Sequence, residues 1–193
     1  MRKLFALFML SSLLTSCGIN TIPTLDEGVN AAWAQVQNQY QRRADLIPNL
    51  VETVKGYAAH EKETLDAVVS ARSKVGSIQL TPELLNDPQA MRQFEAAQGE
   101  LSSALSRLMA ISENYPDLKA NQNFLALQSQ LEGTENRISV ARRDYIAAVQ
   151  SFNTEIRTFP GKLWHMFLYS ELERKSNFEA TTPNAESAPA VAF

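Results

Sequence analysis

Apolar residues along this chain recur in alternating steps of three and four, the spacing of one helix face. From Glu27 the series Val29, Trp33, Val36, Tyr40, Ile47, Leu50, Val51, Val54, Tyr57, Ala58 and Leu65 predicts a first long helix, running to about Val75 and stopping at Gly76. Thr81-Pro82-Glu83 and Asp87-Pro88 each look like a cap followed by proline in the first turn. A second long helix carries Phe94, Ala97, Leu101, Leu105, Leu108 and Ser112 on one seam and ends at Tyr115-Pro116. The third has the cleanest heptads: Phe124, Leu127, Leu131, Thr134, Ile138, Ala141, Tyr145, Ala148, Phe152, Glu155 and Phe159, with Pro160-Gly161 as its stop. "KLWHMFLYS", Lys162 to Ser170, is a short apolar segment. Convincing strand alternation appears nowhere. Long helices joined by short turns are antiparallel neighbours. The expected fold is all-α: an elongated antiparallel up-and-down bundle of three long helices plus a short C-terminal helix that folds back.

The first residues change the picture from a free bundle to an anchored one. "MRKLFALFMLSSLLTSCGIN" has Arg2 and Lys3 ahead of an apolar core from Leu4 to Leu14, too short to span a hydrocarbon layer of about 30 Å. It reads as a signal peptide. Leu14, Thr15, Ser16 and Cys17 match the lipobox of bacterial lipoproteins position by position. The match implies cleavage after Ser16, diacylglycerol on the Cys17 thiol and acylation of the new amine. Two or more acyl chains make membrane anchoring stable. Gly18 rather than aspartate after the cysteine resembles an outer-membrane sorting signal, facing the bundle into the periplasm. The expected organisation is a signal peptide over 1–16, a lipidated tether over 17–26, a bundle over 27–175 and a flexible tail over 176–193, where period is lost.

Composition then narrows the function. The 193 residues carry a formal net charge of −3 without a dominant basic patch, which argues against nucleic acid as a partner. The single cysteine excludes an intrachain disulfide. His60 and His165 are the only histidines, and neither has a second histidine at helical ligand spacing. His60 reads as a surface residue, and His165 as a packed or rim residue among Trp164, Met166 and Phe167. No nucleophile elbow or glycine-rich phosphate loop is present. No catalytic residue, no metal ligand and no cofactor beyond the lipid on Cys17 is expected. The Lys162–Ser170 segment suits either an amphipathic piece on the membrane or a plug over the bundle end. With one lysine and no basic face, the plug is favoured.

One stretch exceeds what a plain helix needs. "NQYQRRADLIPNLVETVKGYAAHEK", Asn38 to Lys62, sets Pro48 inside an apolar rhythm beside Arg42, Arg43, Asp45 and Asn49. Pro48 removes one helical hydrogen bond and crowds the Ala44 carbonyl, so a kink is expected. Arg43 shares a seam with Val36 and Leu50, so its stem should be covered and its head needs acceptors. Asp45, one turn from Asn49 and beside Arg42, is placed for a local network. Such a buried layer fixes register more than it adds stability.

That stretch, continued to Arg72, resembles the signature of the LemA family. A second stretch from Glu113 to Gly161 is similar to that family's other signature, through Tyr115, Pro116, Leu118, Asn121, Phe124, Gln128, Leu131, Glu135, Arg137, Ile138, Ala141, Arg142, Tyr145, Asn153, Ile156, Phe159 and Pro160. The resemblance extends to the C-terminal "FEATTPNAESAPAVAF". It implies a membrane-tethered helical bundle outside the cytoplasm, without an established enzymatic activity. Many members carry an uncleaved N-terminal span, from which this chain departs with its Cys17 motif. It also implies an adaptor or scaffold for envelope proteins, a membrane protease being one candidate partner. A metal-dependent enzyme built around His60, and a carrier of a lipid or small hydrophobic ligand in a gap opened at Pro48, are the alternatives.

Overall fold

The computed structural model describes residues 18–78 and 81–178. Cys17 and the lipobox lie outside the described residues, as do positions 179–193. Among the described residues six α-helices follow one another: α1 Thr21–Lys55, α2 Lys62–Gly76, α3 Pro88–Ser112, α4 Pro116–Lys119, α5 Gln122–Glu155 and α6 Gly161–Leu168. A 3-10 helix, Pro82–Asn86, precedes α3. No strand occurs among the described residues. The all-α bundle of long packed helices is therefore the fold.

The first predicted helix is divided differently from expectation. It begins six residues earlier, at Thr21, and ends at Lys55. Between Gly56 and Glu61 the chain turns, and α2 runs back along α1. The break follows the glycine, not the proline: α1 passes through Pro48 without interruption. A single apolar period covers both helices because both bury a face in the same core, so periodicity did not mark the turn. Of the two caps expected before a proline, Thr81 makes no side-chain capping bond to the 3-10 helix, whereas Asp87 acts as expected. The Asp87 carboxylate accepts from Gln89 N at 2.8 Å and Ala90 N at 3.2 Å, capping α3. Asn121 caps α5 through Phe124 N at 3.0 Å.

Two apolar cores stack along the bundle. The first contains Val29, Trp33, Val36, Tyr40, Leu84, Leu85, Phe94, Ile138, Tyr145 and Phe152. The second contains Ile47, Leu50, Val54, Leu65, Val68, Leu101, Leu108, Leu118, Phe124 and Leu131. Most seam residues expected from the heptads are buried here. Phe159 is not: α5 stops at Glu155, the heptad ends with it, and Phe159 is 81% exposed.

Ser176 to Phe178, expected in the tail, pack on the first core. The Ser176 amide donates to the Leu85 carbonyl, and Tyr145 Oη donates to the Ser176 carbonyl at 2.8 Å. Asn153 donates to the Lys175 carbonyl at 2.9 Å and accepts from its amide at 3.0 Å. Lys175 Nζ reaches Asp26 at 2.9 Å, tying the segment to α1. The Phe178 ring lies 5.3 Å from Tyr145 and 6.2 Å from Trp33. Every polar backbone group held this way avoids burial without a partner. The segment lacks helical period because it is a strap over the bundle.

Candidate functional site

The two stacked cores are separated by a polar layer, which falls at one position on each long helix. On α1 it is Arg43, between Tyr40 and Ile47. On α3 it is Gln98, between Phe94 and Leu101. On α5 it is Glu135, between Leu131 and Ile138. Arg43 is 1% exposed. Its Nη1 donates to Ser102 Oγ at 2.9 Å and to Glu135 Oε1 at 2.6 Å. Its Nη2 donates to the Gln98 side-chain oxygen and, at 3.5 Å, to the Gln98 carbonyl. The guanidinium carbon also stands 5.1 Å from the Tyr40 ring centroid. The buried arginine anticipated from the seam is thus present, and its acceptors come from α3 and α5.

A second ion pair flanks the first. Arg142 Nη2 meets the buried Glu95 at 3.1 Å, and its guanidinium carbon lies 4.2 Å from the Phe178 ring centroid. Tyr40 sits beside both arginines. Burial raises its phenol pKa, and the Arg142 and Arg43 charges partly offset that. Tyr145, also buried, is raised further by desolvation. Both phenols stay protonated at neutral pH. Around these side chains opens a cleft of ≈ 500 Å³, lined by Tyr40, Arg43, Glu95, Gln98, Glu135 and Arg142 among others.

The other singled-out residues take a different position. Arg42, Asp45, Pro48 and Asn49 are exposed, on the outer side of the same turns. Asp45 does not join Arg42 and Asn49. Its carboxylate accepts from Gln41 Nε2, one turn back, at 2.7 Å. Pro48 has a consequence that the sequence did not suggest. It has no N–H to give to the carbonyl of Ala44, its i−4 residue. Arg72 of α2 fills the place, Nε donating to the Ala44 carbonyl at 2.9 Å. The proline therefore exposes an acceptor on α1, and the returning helix supplies the donor.

At the turn end, Tyr115 Oη donates to Glu61 at 2.9 Å, which raises the Tyr115 pKa. Asn121 Nδ2 donates to Tyr57 Oη at 2.8 Å. Arg43, Glu61, Arg72, Tyr115, Glu135 and Arg142 of the two signature stretches are thus spent on joining one element to another. Sequence reasoning missed Gln98, Ser102, Glu95 and Arg72 as partners. Glu135, Arg142 and Arg72 did stand within the two stretches, which was the one available signal. His60 is exposed, and His165 Nε2 donates to the Leu172 carbonyl at 2.8 Å. Among the described residues no group of three or more His, Cys, Asp or Glu could hold a metal ion, and no helix is long and apolar enough to cross a membrane.

Comparison with known proteins agrees with these positions. The model of the LemA family matches residues 32–193. Magnetosome protein MamQ 2 of Paramagnetospirillum magneticum is 30% identical over 157 residues, covering 73% of this chain and 58% of that protein. Magnetosome protein MamQ of Magnetospirillum gryphiswaldense is 28% identical over 160 residues, with the same coverage of 73% and 58%. Protein LemA of Metamycoplasma hominis is 27% identical over 131 residues, covering 68% of this chain and 56% of that protein. The chain thus spans somewhat over half the length of these relatives. With the family match running from residue 32 of α1 through the strap, and Arg43, Glu135 and Arg142 of the signature stretches supplying the α1 and α5 sides of the polar layer, this chain belongs to the LemA family.

Proposed function

We propose that this chain is a lipid-anchored protein of the bacterial envelope, held at the outer membrane through Cys17, whose bundle serves as an adaptor or scaffold for another envelope protein. The observation that carries this reading is the division of "RRADLIPN" into two faces. Arg43 is buried in bonds to α3 and α5, while Arg42, Asp45, Pro48 and Asn49 stand outside. The inner face holds the helices in register. Among the described residues the side chains of Arg42, Asp45 and Asn49 make no bond to another helix, and Pro48 beside them serves the link from Arg72 to α1, so the outer face is a rigid polar strip. Polar residues held on a stiff scaffold suit contact with a protein partner, and the internal use of the buried ones leaves chemistry a poor account of them. A membrane protease remains one candidate partner, through the family resemblance alone.

The test is crosslinking in intact cells from a photoreactive residue at the exposed Asp45 or Glu52 of α1, which leaves Arg42 and Asn49 in place, with the exposed Val140 of α5 as the control position. The expected result is one discrete adduct with a membrane-fraction protein from the α1 positions, lost in Arg42→Ala and Asn49→Ala protein of unchanged stability. Adducts of equal yield from Val140, or none from α1, would overturn the adaptor reading. Labelled palmitate tests the anchor separately: it should enter the wild-type chain and not Cys17→Ala.

A further inference from the structure

The bundle end beside residue 18 exposes an apolar face that the fold does not use. Phe159 is 81% exposed, Phe167 72%, Met166 55%, Leu168 49% and Leu163 42%. Five large apolar residues thus fall within ten positions, whereas the other exposed ones are spread over α2, α5 and the turn after α1. Leu163, Met166 and Phe167 follow helical steps of three and one, so they share one side of α6, and the exposed Phe159 lies in the turn just before that helix. The opposite side of α6 is already occupied. Gly161 is buried so closely against α5 that a Cβ there would run into the Glu155 carbonyl. Trp164 packs on the first core, and His165 is bonded to Leu172. The plug expected from the sequence is therefore half of the account: α6 covers the bundle end with one side and leaves the other bare. Gly161 and His165 fix which side that is.

The position of the face identifies its occupant. A Cβ on Gly18 would lie 3.5 Å from Trp164 Nε1 and 3.9 Å from Pro160 Cγ. The residue next to Gly18 is Cys17, so any acyl group there is attached one residue from α6. An apolar face at an anchored end meets hydrocarbon, and neighbouring aromatic and aliphatic side chains suit the boundary between headgroups and acyl chains. We propose that α6 is a second membrane contact, which inserts Phe159, Leu163, Met166 and Phe167 into the bilayer that holds the N-terminus and so sets the tilt of the bundle on it. The proposal rests on the anchored reading of Cys17. It commits to lipid, and a second copy of the chain or the apolar Leu4–Leu14 segment would be the competing occupants. With few charges on α6, neutral and anionic bilayers should serve equally.

The test uses the full chain in vesicles of phosphatidylcholine, with and without phosphatidylglycerol. Acylation of the sole native cysteine leaves an introduced thiol unique, so an environment-sensitive fluorophore is placed at Met166→Cys or, as control, at the exposed Val69→Cys of α2. Nitroxide groups on the lipid acyl chains should quench the label at 166 at least about threefold more than the label at 69, in both vesicle types. Phe167→Glu should lower the quenching at 166 by about half or more. Equal quenching at both positions would overturn the proposal. So would a label at 166 that is shielded from water-soluble quencher yet untouched by the nitroxides, which would mean a protein occupant. The mass of residue 17 separates the two readings. An acyl mass with no quenching at 166 refutes the α6 contact and leaves the anchor. Without acyl mass the labels are compared in Cys17→Ser protein, where selective quenching at 166 supports the contact alone and its absence refutes both.

Discussion

Arg43→Ala is expected to destabilise the fold by about 3 kcal/mol, and the parts of that figure come from different neighbours. Gln98 is buried, so its amide oxygen cannot turn to solvent when the guanidinium goes, at a cost of about 1–3 kcal/mol. Glu135 is different. Its side chain is 47% exposed and regains water, so the lost ion pair adds only about 0–1 kcal/mol. Two buried methylenes of the arginine stem add about 1.6 kcal/mol at ~0.8 each. Removing a charge from the interior gives part of this back. Arg43→Met keeps the Cγ methylene and sets an apolar thioether in place of Cδ, so it should cost less than Arg43→Ala by about that stem contribution. Arg42→Ala, on the outer face, should cost under about 0.5 kcal/mol. Urea unfolding of the three variants, compared at constant m-value, measures all of these. Equal and negligible destabilisation by the alanine variants at 42 and 43 would refute the buried arginine layer. Equal losses for Met and Ala at 43 would refute the stem contribution.

A double-mutant cycle tests the latch at Pro48: Arg72→Ala should cost about 1 kcal/mol in the native chain and clearly less in Pro48→Ala, whose restored N–H takes the Ala44 carbonyl. Additive losses in urea would refute that latch. The raised phenol pKa of Tyr145 favours the neutral form in the folded chain, so its contribution is complete below the unfolded value of about 10 and declines as pH rises from there. Tyr145→Phe should flatten that alkaline decline in thermal melts, and an unchanged slope would count against it. Asn153→Leu removes both bonds to the Lys175 backbone, so trypsin should cleave after Lys175 or Arg174 sooner than in the native chain. Unaltered cleavage there would mean the strap is held by other contacts.

Much of the bundle was legible because its cause is periodic. Leu101, Leu105 and Leu108, or Ile138 and Tyr145, are buried by the same repetition that a sequence displays. Arg43 was legible for the same reason, since a polar residue on an apolar seam must be covered. Its partners were not, because Gln98 and Ser102 look like ordinary surface residues until α3 is set against α1. The turn at Gly56 was hidden by continuity of the apolar face across it. The strap was hidden for the opposite reason: an extended segment held by Asn153 and Tyr145 through its backbone needs no pattern of its own. On α6, composition alone could not divide an apolar segment into the side that caps the bundle and the side left bare.

The charge between the two cores also governs how movement can pass along the molecule. For one helix to slide against its neighbours by a turn, Arg43 would have to leave Gln98 and Glu135 and enter the hydrocarbon packing above or below it. Solvating that charge anywhere but in its own layer is prohibitive on the scale of a domain's whole stability. Sliding is therefore blocked, and α1, at 35 residues about 52 Å long, behaves as a keyed strut. A force applied at one end reaches the other as a rocking of the entire rod. A partner of the kind proposed above would sense the orientation of the shaft, with the interior the same throughout.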